Sequence, residues 1–261
     1  MDSSDMDKGS SYVLLPTWKE QKKRRWWNPI SMKKAQQHLP EGYSIRLMSQ
    51  ADYAQISGIC RMVYPTERPY SDEELSAHHQ LFPEGQFVVC HEESGGVAGV
   101  HFTLLIQLAH FHIDDDWETL TAGGTFFDHD PAGHTLYGAD LFIHPNHQHH
   151  GLAKALTVAT RELVSQRKLW RMVGGSRMPG YGKLARNLDP QEYIAKVKNT
   201  ELTDPVLTAH LHDGWDVITA IRGYLPHDEE SAGWAAVIQW INQECTPPAE
   251  VDISRISKKN T

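Results

Sequence analysis

The stretch that most limits what this chain can fold into is Ala139-Asp-Leu-Phe-Ile-His-Pro-Asn-His-Gln-His-His-Gly-Leu-Ala-Lys154. Its first part reads as a strand over 139–144, which Pro145 ends because it has no N–H to give to a ladder. A helix over 151–168 follows, with Leu152, Ala155, Leu156, Ala159 and Leu163 on one face. The loop between them delivers backbone N–H groups to a helix N-terminus, and Gly151 permits a close approach. Unpaired N–H groups and the helix dipole together make an anion site suited to a pyrophosphate. The competing reading is an ordinary strand-to-helix turn.

The flanking pattern supplies the rest of a sheet. Tyr43 to Met48 alternates as a strand, and Ser49 offers an N-cap to a helix over 51–64. Ser71-Asp-Glu-Glu74 is a capping box opening a helix that ends near Phe82. Residues 86–91 and 97–108 read as strands of a hairpin turned at Glu93-Ser-Gly-Gly96. Residues 109–138, with five Asp, one Glu and four His, lack periodicity and read as a loop insertion. A strand over 170–174, helices opening at Asp189-Pro190 and Asp204-Pro205, and strands over 215–225 and 234–241 bring the count to seven. The expected fold class is α/β (α+β): one mixed, largely antiparallel sheet flanked by helices. Residues 1–40 form a basic and aromatic extension, with Trp18, Trp26 and Trp27 among seven basic residues; 41–243 form the domain and 244–261 a tail. The extension reads either as a docking arm for an acidic partner or membrane surface, or as a segment packing its tryptophans on the domain.

A balance of 25 Lys and Arg against 33 Asp and Glu opposes broad nucleic-acid binding. Three cysteines without framework spacing, Cys60, Cys90 and Cys245, fit a reducing compartment. No run approaches the ~18 apolar residues of a membrane span, and the polar N-terminus has no signal-peptide core. The expected setting is the cytoplasm, without stable membrane association.

Gln148-x-x-Gly151-x-Ala153, placed after Ile-His-Pro145 and opening a helix, resembles the acyl-CoA signature of the GNAT acetyltransferase superfamily. The order of elements is similar too, and Ala209-His-Leu-His-Asp-Gly-Trp215 looks like that family's last helix and strand; the resemblance covers roughly 43–243. It implies that the CoA pyrophosphate lies on the amides of Gln148, His149, His150, Gly151, Leu152, Ala153 and Lys154. It further implies that the pantetheine arm runs beside Leu141, Phe142 and Ile143, with the acyl group where this strand splays from its neighbour. Gln148 stands where Arg is common, which removes a cation that His149, His150 or Lys154 could replace in part. His144, His147, His149 and His150 straddle a turn rather than a fixed ligand geometry, so no metal is expected.

A narrower resemblance joins Gly174-Gly-Ser-Arg-Met-Pro-Gly-Tyr181, Asp204-Pro-Val-Leu207 and Gly223-Tyr-Leu-Pro226 to a GNAT branch with an enlarged C-terminal half. That branch includes nitrilase-fused GNAT domains and lies near polyketide-synthase GNAT-like loading domains. The loading domains are associated with malonyl-CoA decarboxylation, using a hydroxyl residue and a His. Ser176 and His210 match those roles, and Arg222 is a carboxylate partner. Asp140, on the signature strand, is a base or a strand-edge hydrogen bond, and Tyr181 and Tyr193 are alternative acids. The expected function is transfer of an acetyl or related acyl group from CoA to a small-molecule amine or an acyl-carrier-protein thiol. The alternatives are a malonyl-CoA decarboxylase or loading enzyme and a non-catalytic CoA-sensing module. A homodimer is left open.

Overall fold

The computed structural model describes residues 30–107, 111–112 and 115–248. Trp18, Trp26, Trp27 and most of the basic N-terminal stretch lie outside the described residues, as does the end of the tail. Seven strands form one sheet: β1 (Tyr43–Leu47), β2 (Gln86–His91), β3 (Val97–Ile106), β4 (Thr135–Ile143), β5 (Arg171–Arg177), β6 (Asp216–Arg222) and β7 (Trp234–Ile241). Their order is β1-β2-β3-β4-β5-β7-β6. Every neighbouring pair is antiparallel except β4 and β5, which are parallel. β3 is buried along its whole length, as a central strand covered on both faces must be.

Helices cover the two faces separately. On one face lie α1 (Lys33–Gln37), α5 (Leu152–Arg167), α6 (Pro190–Lys198) and α7 (Leu207–His212), burying Ala35, Leu156, Ala159, Leu163, Ile194 and Leu207. On the other lie α2 (Tyr53–Val63), α3 (Asp72–Leu81) and α4 (Trp117–Leu120), burying Ile56, Ile59, Leu75 and Leu120. α3 begins with the expected capping box: Ser71 Oγ accepts from the Glu74 amide and the Glu74 carboxylate accepts from the Ser71 amide.

Three differences from the sequence expectation bear on the site. β4 begins at Thr135 rather than 139, so the end of the expected 109–138 loop is strand, and a short helix lies within it. β5 continues to Arg177, which puts Ser176 inside the strand rather than past its end. Gly174-Gly175 looks like a turn in the sequence. In the fold, a Cβ on Gly175 would lie 2.1 Å from Tyr224 Cζ, so the glycine makes room for the Tyr224 ring. The helix expected over 204–214 is the shorter α7.

The β4–β5 ladder is short. Thr135–Gly138 pair with Arg171–Gly174, and beyond that β4 pairs only with β3. A bulge at Ala139 turns the strand there, because Phe102 faces Asp140 while Thr103 faces Gly138. The Trp117 indole N–H holds the bulged Ala139 carbonyl at 2.9 Å. The two strands therefore diverge, leaving a gap between Ala139–Ile143 and Gly175–Arg177.

α7 is held against this gap by Asp204, which is fully buried. Its carboxylate accepts from Tyr193 Oη at 2.7 Å and from the amides of Gly180, Val206 and Leu207 at 3.0, 2.9 and 2.8 Å. Asp204→Ala strands these four donors and is expected to destabilise the fold by ~3 kcal/mol, lowering Tm by roughly 6–12 °C in thermal unfolding.

Candidate acyl-CoA site

His144 donates its amide to the Ala98 carbonyl at 2.8 Å, which fixes the phase of β4. Backbone groups alternate sides along a strand, so those of Leu141 and Ile143 point away from β3 into the gap. The mouth of the gap is the loop 144–151. His149 (φ 64°) and Gly151 (φ 76°) are both left-handed, and no described side chain caps α5. Gln148 Nε2 donates to the Ile143 carbonyl at 3.4 Å, and His150 Nδ1 lies 2.7 Å from the Gln148 carbonyl. Lys154 leans towards Asp213 at 4.0 Å. His147 Nδ1 is 2.8 Å from the Tyr43 hydroxyl, and desolvation lowers its pKa. Among the described residues no group of three or more His, Cys, Asp and Glu is arranged to hold a metal ion.

Deeper in the gap the two sheet faces carry different chemistry. Towards α5 and α7, Ser176 Oγ lies 2.9 Å from His210 Nδ1 and 3.1 Å from the Arg177 carbonyl. Burial pushes the His210 imidazole down to about 4, so it is neutral near pH 7. Towards α2, Tyr64 and Tyr70 donate to the two Asp140 carboxylate oxygens at 3.1 and 3.2 Å. Desolvation raises the Asp140 carboxyl to about 7, although both phenols and the Leu141 amide pull it down. Burial keeps both phenols well above their ordinary range and protonated. Tyr137 and Tyr224 share a hydroxyl contact of 2.5 Å beside them.

The structure brings Ser176 and His210 together and places Asp140 on the opposite face of the same gap. Arg222 is elsewhere: it is exposed at the end of β6, with β7 between it and β5. The Tyr181 and Tyr193 hydroxyls donate to the Leu188 carbonyl and to Asp204, which gives both a structural task. Sequence reasoning missed Tyr64 and Tyr70. They lie 76 and 70 residues from Asp140, and nothing in their local spacing marks them.

No family model matches the chain. It is 30% identical over 203 residues to the probable hydrolase YhcX of Bacillus subtilis (strain 168), covering 78% of this chain and 39% of that protein. The chain thus spans about two-fifths of YhcX. It is 29% identical over 206 residues to the uncharacterized N-acetyltransferase YkwB of the same organism, covering 77% of this chain and 90% of YkwB. Among solved structures, the GphF GNAT-like decarboxylase in complex with isobutyryl-CoA superposes with a TM-score of 0.63 at 22% identity, over 76% of this chain and 98% of that one. The loading GNATL domain of CurA from Lyngbya majuscula superposes with a TM-score of 0.64 at 20% identity, over 76% and 97%. These last two likenesses are ones of fold.

A sheet split at its one parallel pair, with an uncapped helix N-terminus at the mouth of the split, is the arrangement of the GNAT fold, and this chain has that fold.

Asp140 gives the site a stability signature. Its folded pKa lies above the ordinary carboxylate value, so the folded state holds a proton that the unfolded state has lost between about pH 4 and about pH 7. That contribution is full below the unfolded pKa and disappears as pH rises through the folded one. Urea denaturation should therefore show Asp140→Asn gaining on the wild type between pH 5 and pH 8, by on the order of 2 kcal/mol.

Proposed function

We propose that this chain is an acyl-CoA-dependent acyltransferase that moves an acetyl or related acyl group from CoA to an amine or a carrier-protein thiol. The observation that carries this is Asp140: a carboxyl poised near neutral pH on the rim of a gap whose other face holds the Ser176–His210 pair. The gap fits an extended pantetheine arm, with Leu141 and Ile143 offering backbone groups and Phe142 packing behind. The amides of His149, His150, Gly151, Leu152, Ala153 and Lys154 would take the pyrophosphate.

The acceptor approaches from the α2 face, and its N–H or S–H proton passes to the Asp140 carboxylate as the new bond to the acyl carbon forms. The C–S bond breaks and CoA leaves as thiolate. Ser176 Oγ donates to the Arg177 carbonyl and also reaches His210 Nδ1; when its one proton turns to Nδ1, the ring N–H sits on Nε2, where it hydrogen-bonds the departing thiolate. Solvent then takes the proton from Asp140 and protonates the thiolate. Tyr64 and Tyr70 hold the base and keep its charge bearable in a desolvated site.

The hydroxyl–imidazole pair also favours a second reading, decarboxylation of malonyl-CoA. There the C–C bond breaks, CO2 leaves, and hydrogen-bond donors stabilise the enolate until its carbon is protonated. A CoA-sensing module would bind without turnover. In this reading residues 41–243 are the acyl-CoA domain, 1–40 and 244–261 are appendages, and the setting is the cytoplasm. No helix among the described residues is long and apolar enough to cross a membrane.

Mass spectrometry of products from acetyl-CoA and malonyl-CoA, with and without carrier protein, tests these readings against one another. For transfer, the rate should rise with pH through about 7 as Asp140 ionises, and Asp140→Asn should cost ~100-fold or more and flatten that limb. His210→Ala should cost ~100-fold in turnover with CoA affinity near normal. Ser176→Ala should cost ~10- to 100-fold in decarboxylation and little in amine acetylation. Full turnover by a folded Asp140→Asn protein overturns the assignment of the base.

A Cβ on Gly151 would meet no protein atom within 4 Å, so any steric loss in Gly151→Val falls on the ligand or on the left-handed backbone. Calorimetry should show CoA binding weakened by more than ~10-fold, or ~1.4 kcal/mol. Unchanged affinity would remove this loop from the site.

A further inference from the structure

β3 carries a buried histidine, His101, on the face covered by α5. Thr160 of α5 sits against it, with Oγ1 2.8 Å from His101 Nδ1; the same hydroxyl donates to the Leu156 carbonyl at 2.8 Å. A hydroxyl has one proton. With that proton directed at Leu156, Oγ1 can only accept from the ring, so Nδ1 carries the hydrogen and Nε2 is a bare lone pair. Nε2 faces Gly138: a Cβ there would lie 3.2 Å from it. Gly138 is the last β4 residue paired with β5, so the lone pair sits at the vertex of the gap. Ser176 and His210 share this face.

The surrounding charges do not supply a donor. The groups acting on His101 are the Leu156 carbonyl and the neighbouring His210, and burial holds its imidazole down to about 4. Around His210, Asp213 at the end of α7 pairs with Arg161 of α5 at 3.3 Å, and Asp204 is saturated by its own four donors. Asp140 of β4 belongs to the other face, with Tyr64 and Tyr70. A carboxylate brought to the vertex would meet a lone pair without a donor, an unfavourable arrangement when buried. Protonating Nε2 turns repulsion into a charge-assisted hydrogen bond.

We propose that His101 is the acyl-selecting residue of the gap: its bare Nε2 admits neutral acyl groups and takes one proton from solvent when the acyl group carries a carboxylate. The inference rests on the acyl-CoA reading of the gap. The proton comes from buffer on binding and returns to it on release, and no covalent bond changes.

The test is calorimetric titration of the full chain with ethyl-CoA and carboxymethyl-CoA, stable thioethers that differ by one carboxylate. Titrations in buffers of different ionisation enthalpy count the protons. Carboxymethyl-CoA should take up about one proton more than ethyl-CoA near neutral pH. Its affinity relative to ethyl-CoA should fall ~10-fold per pH unit between about pH 6 and about pH 8. His101→Asn should abolish both differences. Thr160→Val frees the ring to carry its hydrogen on Nε2, and should reduce the proton uptake while strengthening carboxymethyl-CoA at the upper pH. Equal proton counts for the two ligands in the wild type overturn the proposal, as does persistent extra uptake in His101→Asn. So does ethyl-CoA binding without carboxymethyl-CoA binding anywhere in that pH range. If neither thioether nor CoA itself binds, the acyl-CoA reading fails before this one.

Discussion

Everything proposed for this site depends on one short parallel ladder. β4 and β5 hold together over four residue pairs and then part, because a bulge at Ala139 turns β4 while Gly138 and Gly174 let the strands come close just before it. A Cβ on Gly174 would lie 3.3 Å from the Gly138 carbonyl. Closing the gap would satisfy the backbone of Leu141 and Ile143 with a neighbouring strand and leave no room for a ligand. Keeping it open leaves polar backbone groups facing a slot in the middle of a sheet, a cost that an extended chain bearing amides can offset by pairing there.

The two faces of that slot have been given opposite electrostatic characters by the same force. Desolvation raises a carboxyl and lowers an imidazole, so Asp140 moves up to about 7 while His101 and His210 move down to about 4. A carboxyl near neutrality on one side and uncharged rings on the other suit a reaction in which a proton arrives from one face and a sulfur leaves towards the other. The tyrosines prevent Asp140 from rising further, since each phenol stabilises the ionised form. Removing either would make the carboxyl a weaker participant near neutral pH without touching the acyl gap.

How much of this could be read from sequence follows from which interactions are local. Pro145, Gly151 and the apolar face of α5 announce the strand–loop–helix because each acts within a few residues. The Ser71–Glu74 capping box is local for the same reason. The pairing of Ser176 with His210 came from likeness to a family rather than from spacing, since 34 residues separate them. Gly138, Gly174 and Gly175 misled the strand boundaries: a glycine that admits a ring or a neighbouring strand is spelled the same way as one that makes a turn. His101 was silent because a single histidine within the apolar run Val97–Ile106 resembles a satisfied core residue. Only its contacts distinguish it. Tyr64 and Tyr70 were silent because the carboxyl they serve is remote in sequence.

In the proposed complex the mouth of the slot would bind an anion with few cations. Gln148 stands where the family often has Arg, and its amide is directed at the Ile143 carbonyl rather than outward. His150 is turned to the Gln148 carbonyl and Lys154 leans to Asp213. These contacts stiffen the loop instead of offering counter-charge. The Gln148 backbone amide donates to the Pro145 carbonyl, so in the proposed complex a phosphate would be left the amides from His149 to Lys154 and the positive end of a sixteen-residue helix. Recognition of this kind depends on amide geometry, which the left-handed residues His149 and Gly151 fix, more than on mobile charges that salt would screen. In the proposed complex, backbone conformation at two residues thus does the work that a guanidinium does in relatives bearing Arg.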